Sequence, residues 1–264
     1  MSQSEEARLS LLDHVLDGMP VSDQLARELF QVVDALSASA VLRRTLSDPA
    51  IREASRQGMT HALFDGKVGE TAVQLVAEAA VQRWGGGRSF VDALERQAVR
   101  AQLKAARDRG QLVETEDELF RFGRMVEGDS ALLAALSNRT VPLANRQALV
   151  EDLLRGRAND ATVTLATRAV AARERNFANT LDGYVTLAAD EQSRSIATVR
   201  VARPLTEEQS SRLQSVLSQQ AGRDVVLQVI IDPDVLGGVR VELGDEAIEG
   251  TVASRLENAR RLFG

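Results

Sequence analysis

Residues 232–252 of the 264-residue chain read DPDVLGGVRVELGDEAIEGTV and set the architecture of its C-terminal part. Within this stretch, apolar and charged residues alternate over residues 239–243, which is the pattern of a half-buried β-strand. Gly237-Gly238 before that strand allows backbone conformations that a side chain would forbid, and Gly244-Asp245 after it signals a tight turn. No side chain here has the character of a nucleophile or a metal ligand. The stretch therefore predicts a shape rather than a reaction centre.

Strand and helix patterns alternate around this stretch, from residue 191 to the end of the chain. Apolar–polar alternation predicts strands over residues 196–201 and 225–231. Thr206 and Gln209 have the spacing of a capping box, in which each side chain binds the other residue's backbone N–H, so they predict the start of a helix. A closing helix is expected over residues 251–263. The sequence therefore predicts a compact α+β domain over residues 191–264.

The first 190 residues carry apolar residues at the three-and-four spacing of amphipathic helices, interrupted by turn signals. Several polar residues predict where helices begin. Asp48 is expected to cap a helix whose first residue is Pro49. Thr115 and Glu118 read as a second capping box, and Asn159 as the cap of a later helix.

A repeat relates the two halves of this helical region. Glu28-Leu29-Phe30 matches Glu118-Leu119-Phe120 at a spacing of 90 residues, and Arg56 matches Arg146 at the same spacing. The match runs without a gap for about fifty residues and continues beyond Trp84 at a spacing of 87. Chance similarity between two helical stretches rich in Ala and Leu is the alternative to duplication. We predict a mainly α chain of two tandem, duplicated helical-bundle units, over residues 1–95 and 96–190, followed by the small α+β domain.

Composition excludes several classes of protein. The net charge of −6 argues against nucleic acid as the main partner, because binding phosphates requires a basic surface. The chain has no Cys, so it can have neither a disulfide framework nor a thiolate metal site. No apolar run approaches the ~18 residues that a membrane span needs. The polar N-terminus does not have the pattern of a signal peptide, and we expect a soluble protein that can dock on a membrane complex.

Catalytic signatures are weak, and we predict no catalytic, cofactor-binding or metal-binding residue. His14 and His61 are the only histidines and are expected to lie on helix surfaces. Gly66-Lys67 does not form a phosphate-binding loop, since the earlier Gly of that motif is missing and Val68 replaces Ser or Thr. Arginines alternate with acidic and apolar residues from Arg96 to Arg109, and we interpret this run as a solvated helix face.

The C-terminal motifs point to a known family. The chain resembles the delta subunit of F-type ATP synthases, the family of the oligomycin-sensitivity-conferring protein. The family pattern Pro-Leu-Thr/Ser-x-x-Gln is matched by residues 204–209, and its Asp-Pro-x-hydrophobic-hydrophobic-Gly-Gly turn by residues 232–238. Its Ile-Asp-Gly-Ser-Val run reads Ile-Glu-Gly-Thr-Val at residues 248–252. The matched structural residues are Pro204, Pro233, Gly237, Gly238, Gly244, Asp245, Gly250 and Arg255.

This resemblance implies a non-catalytic stator subunit without a cofactor. Such a subunit holds N-terminal segments of alpha subunits with its helical domain and the C-terminal ends of b subunits with its C-terminal domain. It would lie on the cytoplasmic face of the cell membrane as a peripheral part of the ATP synthase. The first ninety residues exceed the usual family length, in a way similar to the long delta subunits of actinobacteria. The alternative is a helical adaptor or regulatory protein unrelated to ATP synthase.

Overall fold

The structure is a computed structural model that describes residues 3–171, 176–193, 195–221, 225–232, 238–243 and 246–251. The chain divides into two compact units, Met1–Glu191 and Gln192–Gly264. The described residues form helices throughout the first unit, and a sheet with one helix in the second. The mainly α fold with a small C-terminal α+β part is thereby confirmed.

The described part of the first unit contains eleven α-helices. They are α1 (Gln3–Asp17), α2 (Asp23–Ala38), α3 (Ala40–Ser47), α4 (Glu53–Phe64), α5 (Glu70–Val81), α6 (Gly87–Asp108), α7 (Leu112–Gly128), α8 (Ser130–Ser137), α9 (Leu143–Leu154), α10 (Asp160–Ala169) and α11 (Phe177–Ser193). Their buried apolar side chains form one continuous core. Trp84 lies in this core between α5 and α6, where its ring nitrogen donates a 2.8 Å hydrogen bond to the carbonyl of Ala79.

Short polar side chains begin several of these helices. The Ser22 hydroxyl accepts a hydrogen bond from the backbone N–H of Leu25, and Ser39 does the same for Leu42. The Asn159 side chain accepts a 3.0 Å bond from the N–H of Thr162, which confirms Asn159 as the cap of α10. Each such cap satisfies a backbone donor that the helix itself leaves without a partner.

Two predicted helix starts are wrong. Asp48 follows the end of α3, and its side chain accepts a hydrogen bond from the N–H of Ala50, so it stabilises a turn while α4 begins only at Glu53. Thr115 lies inside α7, three residues after the start of the helix. Its partner Glu118 instead accepts bonds from the Asn159 N–H at 3.0 Å and the Thr162 hydroxyl at 2.6 Å. The proposed box therefore supports the start of α10.

Helix bounds in the first unit repeat at the spacing seen in the sequence. The bounds of α3 and α8 differ by 90 residues at both ends, as do those of α4 and α9. Gly66 and Gly156 follow α4 and α9 with φ angles of 72° and 70°, in the left-handed region that favours glycine. The two halves thus share one helical plan, while their origin by duplication stays a prediction.

Helix α6 corresponds to a different helix in each half. A shift of α1 by 90 residues gives 93–107, which lies inside α6, and a shift of residues 90–106 of α6 by 87 gives α11. The last helix of the first half is therefore also the first helix of the second half. The predicted limit between residues 95 and 96 falls within α6, and the division of this unit into two domains stays a prediction.

The second unit is a mixed four-stranded sheet with one helix among its described residues. Its elements are β1 (Ser195–Val201), α12 (Glu207–Ala221), β2 (Val225–Ile231), β3 (Gly238–Leu243) and β4 (Glu246–Thr251). The strand order is β2-β1-β3-β4, with β1 parallel to β2 and antiparallel to β3. The N–H of Gln209 donates to the Thr206 hydroxyl, and the N–H of Thr206 donates to the Gln209 side chain, so this capping box is confirmed. The predicted closing helix lies outside the described residues, apart from Thr251 in β4.

Candidate functional site: the charge cluster of helix α6

Helix α6 is enclosed by protein along most of its length. From Phe90 to Ala106, every residue except Asp92 and Arg96 is buried. A helix on a protein surface buries one face only, so α6 is an interior helix. The interpretation of residues 96–109 as a solvated face is therefore wrong over most of the run, since Arg100 and Lys104 are almost fully buried.

The buried cations of α6 face acidic residues on two other helices. Arg100 lies 3.0 Å from Asp13 and 2.8 Å from Asp17 on α1, and 2.7 Å from Glu191 on α11. Three more cations of α6 complete what we call the α6 charge cluster. They are Arg96, 2.8 Å from Asp13, Lys104, 2.6 Å from Asp17, and Arg107, 3.3 Å from Glu191.

The pKa values of the cluster show which charges the fold favours. Burial raises the pKa of Asp13, but hydrogen bonds and charges from Arg96 and Arg100 outweigh burial and hold that pKa at about 2. Burial would lower the pKa of Arg100, and its three acidic neighbours outweigh it, so the pKa rises. For Lys104 burial dominates over the attraction of Asp17, and the pKa falls. Ion pairs away from water keep Asp13 and Arg100 charged.

A second buried network joins α6 to both halves. Arg168 on α10 makes two parallel hydrogen bonds to Glu95 on α6, at 2.8 and 2.7 Å. The same guanidinium lies 2.8 Å from Asp34 and 4.8 Å from the ring centre of Phe30, both on α2. Burial lowers the pKa of Arg168, but Glu95 and Asp34 outweigh burial and raise it. The Tyr184 hydroxyl of α11 donates to Glu95 at 2.7 Å, so four helices meet at one carboxylate and one guanidinium.

Arg56 and Arg146, which are 90 residues apart, both donate hydrogen bonds to carbonyls at helix ends. Arg56 is buried and donates to the carbonyls of Val81 and Gln82, at the end of α5. Arg146 donates to the carbonyls of Leu136 and of Val170, the latter at the end of α10. Each guanidinium therefore satisfies carbonyls that the end of a helix leaves without partners.

The structure describes three of the residues singled out from the C-terminal motifs. Gly238 begins β3 opposite Thr251, and Gly250 lies in β4 opposite Val239, so the two glycines are close together. Pro204 is exposed between β1 and α12. The other five, Pro233, Gly237, Gly244, Asp245 and Arg255, lie outside the described residues. The roles given to all eight stay predictions.

Sequence reasoning missed the α6 charge cluster. The partners of its cations lie between 83 and 91 residues away in the chain, so no local pattern reveals them. Its four cations recur at steps of four and three residues, so they lie on one face of α6, which is also the pattern of a solvated helix face.

Metal binding and membrane crossing both require features that the described residues lack. Across the described ranges, no three His, Cys, Asp or Glu side chains are grouped closely enough to hold a metal ion. Among the described helices, none has the length and apolar character needed to cross a membrane.

Comparison with known proteins gives consistent matches. The family model described as ATP synthase delta (OSCP) subunit matches residues 96–263. The chain is 43% identical over 238 residues to ATP synthase subunit delta of Beutenbergia cavernae, covering 90% of this chain and 88% of that protein. It is 43% identical over 252 residues to the Streptomyces avermitilis subunit, covering 95% and 92%. The Cutibacterium acnes subunit is 38% identical over 253 residues, covering 96% of each. These alignments extend well into the first ninety residues, which the family model does not match.

Proposed function

The chain belongs to the ATP synthase delta (OSCP) family and is a non-catalytic peripheral-stalk subunit of the F-type ATP synthase, and we propose that it joins the catalytic head to the membrane-anchored b subunits. In this proposal, its helical unit holds N-terminal segments of alpha subunits. Its sheet-containing unit holds the C-terminal ends of the b subunits. It acts on the cytoplasmic face of the membrane.

The observation that carries this proposal is the division of the chain into two units with separate cores. Residues up to Glu191 bury one core, and residues from Gln192 onward bury another around β1, β2 and α12. Each unit can therefore offer its own docking surface. When two modest interfaces act through one chain, the second association becomes intramolecular, and the whole linkage dissociates far more slowly than either part.

Resistance to rotor torque requires that the helical unit does not deform under load, and the buried ion pairs support this role. Arg100 ties α1, α6 and α11 together, and Arg168 ties α2, α6 and α10. Sliding one helix past another would separate buried charges from their partners. Removing one partner of a buried pair costs about 3–5 kcal/mol, so such motions are strongly disfavoured.

Site-specific photo-crosslinking in the assembled ATP synthase tests the proposal. A photoreactive amino acid replaces exposed residues in the full chain, at Val41 or Phe120 in the first unit and at Val216 or Ile231 in the second. We expect adducts with alpha subunits from first-unit positions, and adducts with b subunits from second-unit positions. The reverse assignment would contradict the proposal. So would a chain that remains in the soluble fraction at low salt and does not purify with alpha and b subunits.

A further inference from the structure

We propose that a pocket at the start of α4 binds a phosphate group, which three arginines hold. The pocket has a volume of about 290 Å³ and lies between the turn that precedes α4 and the segment that follows α5. Its charged lining residues are Arg52, Glu53, Arg56 and Arg83. Pockets for drug-sized ligands begin at about 300 Å³, so this one suits a small anion.

Arg56 is a buried cation that has no carboxylate partner among the described residues. Its side chain is only 1% exposed, yet it borders the pocket. The other buried cations of the described chain, Arg100, Lys104 and Arg168, each lie within 2.8 Å of a carboxylate. A buried charge without a counter-ion is costly. The surroundings of Arg56 therefore favour an anion that the described residues do not supply.

The guanidinium of Arg56 also keeps hydrogen-bond donors for such an anion. It donates to the carbonyls of Val81 and Gln82, which uses two of its five N–H groups. Its buried Nε has no acceptor in the described part of the chain. In the second half, the Nε of the equivalent Arg146 donates to the carbonyl of Val141 at 3.2 Å. The need for an external acceptor is therefore a property of the first half.

The other charges at the pocket also favour an anion. Arg52 and Arg83 are exposed, and within the described ranges their side chains form no hydrogen bond or ion pair. Both can therefore turn toward a ligand without breaking a contact. Glu53 is the one acid in the lining, so three positive charges face one negative charge. Guanidinium groups bind phosphate through parallel, charge-assisted hydrogen bonds, which favours a phosphate group as the ligand.

The first turn of α4 adds backbone donors beside the arginines. Arg52 precedes the helix, and its side chain does not cap it. The N–H groups of Ser55 and Arg56 donate to the carbonyl of Arg52. Those of Glu53 and Ala54 have no acceptor among the described residues. Free N–H groups and the positive end of the helix dipole stabilise a phosphate at such a position.

This site goes beyond the proposed function and does not depend on it. Its three arginines lie in the first ninety residues, outside the region that matches the family model. The site would give this part of the chain a ligand of its own.

Calorimetric titration of the purified full chain with inorganic phosphate tests the inference. Sodium chloride keeps the ionic strength constant, so that general screening does not change during the titration. We expect saturable binding of one phosphate per chain. A parallel titration with ADP distinguishes a free phosphate from one that a nucleotide carries. Tighter binding of ADP would assign the nucleotide as the source, and weaker binding would assign free phosphate.

Substitutions at the pocket localise the binding. Arg52→Gln and Arg83→Gln should each weaken phosphate binding about tenfold, because each removes a charged hydrogen bond. Glu53→Gln should strengthen it about two- to fivefold, because it removes a repelling charge. The matched control is Arg121→Gln, which removes an exposed cation of α7 and should change the affinity less than about twofold. Circular dichroism checks that each variant keeps its helix content.

Two results would overturn the inference. If the wild-type chain does not bind phosphate, the pocket is not a phosphate site. If Arg121→Gln weakens binding as much as Arg83→Gln, phosphate responds to the overall charge and not to the pocket. Neither result would affect the crosslinks expected for the stalk subunit, so failure here is distinguishable from failure of the proposed function.

Discussion

The Arg100 guanidinium lies 2.7 Å from the Glu191 carboxylate, although 91 residues separate them in the chain. Both side chains are only 1% exposed. Arg100 is also bound to α1, so this contact connects the beginning of the helical unit to its end. The stability of the unit therefore depends on a polar contact in its interior as well as on its apolar core.

Replacing Arg100 tests that dependence. Arg100→Met removes the cation that Asp13, Asp17 and Glu191 share, and leaves these buried carboxylates with fewer partners. We expect the free energy of unfolding to fall by about 3–5 kcal/mol in urea titrations. Arg121→Met removes an exposed pair with Asp117 and should cost less than about 1 kcal/mol. Equal losses for the two variants would contradict the role given to the cluster.

Acid should weaken the chain through Asp13. The pKa of this carboxyl is lowered from 3.8 to about 2, so its ion pairs stabilise the folded state above the unfolded pKa and lose that effect as pH falls through about 2. A shift of this size corresponds to about 2.5 kcal/mol. We expect wild-type stability to decrease more steeply than that of Asp13→Asn between pH 5 and pH 2. Urea titrations at several pH values measure the difference, and parallel curves would argue against it.

Phe30 contacts Arg168, and its repeat counterpart Phe120 can serve as a control for substitutions of Phe30. Phe30 is buried beneath the guanidinium, whereas its counterpart Phe120 is 54% exposed. We expect Phe30→Leu to cost about 1–2 kcal/mol, since it loses both packing and the cation–π contact. Phe120→Leu should have almost no effect. A double-mutant cycle with Arg168→Met measures the coupling, and a coupling near zero would refute the cation–π part of this account.

Arg56 and Arg146 allow the two halves to be compared directly. Each Arg→Met substitution leaves carbonyls at the end of α5 or α10 without a donor, at a cost of about 1–3 kcal/mol. Hydrogen exchange should speed up locally, in the last turn of α5 for Arg56→Met and of α10 for Arg146→Met. Arg155→Met serves as the control, because the ion pair of Arg155 with Asp152 is at the surface. Faster exchange in the other half alone would contradict these local roles.

Both halves of the helical unit contain α6, so we expect them to unfold cooperatively. Because α6 contributes core residues to both halves, neither half can unfold without removing part of the other's core. We expect the slowest-exchanging amides of α2 and α7 to report the same free energy of opening in native-state hydrogen exchange. Two values separated by more than about 2 kcal/mol would mean that the halves unfold as independent domains.

Sequence patterns predicted this fold well where the information was local. The start of α10 at Asn159 and that of α12 at Thr206 depend on residues three apart, and both were predicted correctly. The repeat also paired Arg56 with Arg146, and these residues lie in α4 and α9, whose bounds differ by 90 residues at both ends. In contrast, Thr115 and Glu118 satisfy the rule for one helix start but serve another helix, because Asn159 packs beside them. That choice is made by the assembly of α7 against α10, which local spacing does not encode.

The candidate site was the least predictable part of the molecule. Arg100 and Lys104 are residue types that are typical of a helix surface. They are buried only because α1 and α11 pack against α6 at these positions. The C-terminal glycines identified the family without indicating a surface for a partner. A family motif reflects the conformations that the backbone requires, whereas the α6 charge cluster joins side chains of three helices that are far apart in the chain.

Because α6 belongs to both halves of the helical unit, the two halves are not separate bundles joined by a linker. A separate second bundle would need its own first helix. Here the second half adds only five helices, α7 to α11, because α6 ends the first half and also begins the second. The arrangement is similar to that of a solenoid protein, in which each repeat packs against the one before it. Because α6 is continuous and belongs to both halves, no linker separates them, and the helices of the first half extend the core of the second.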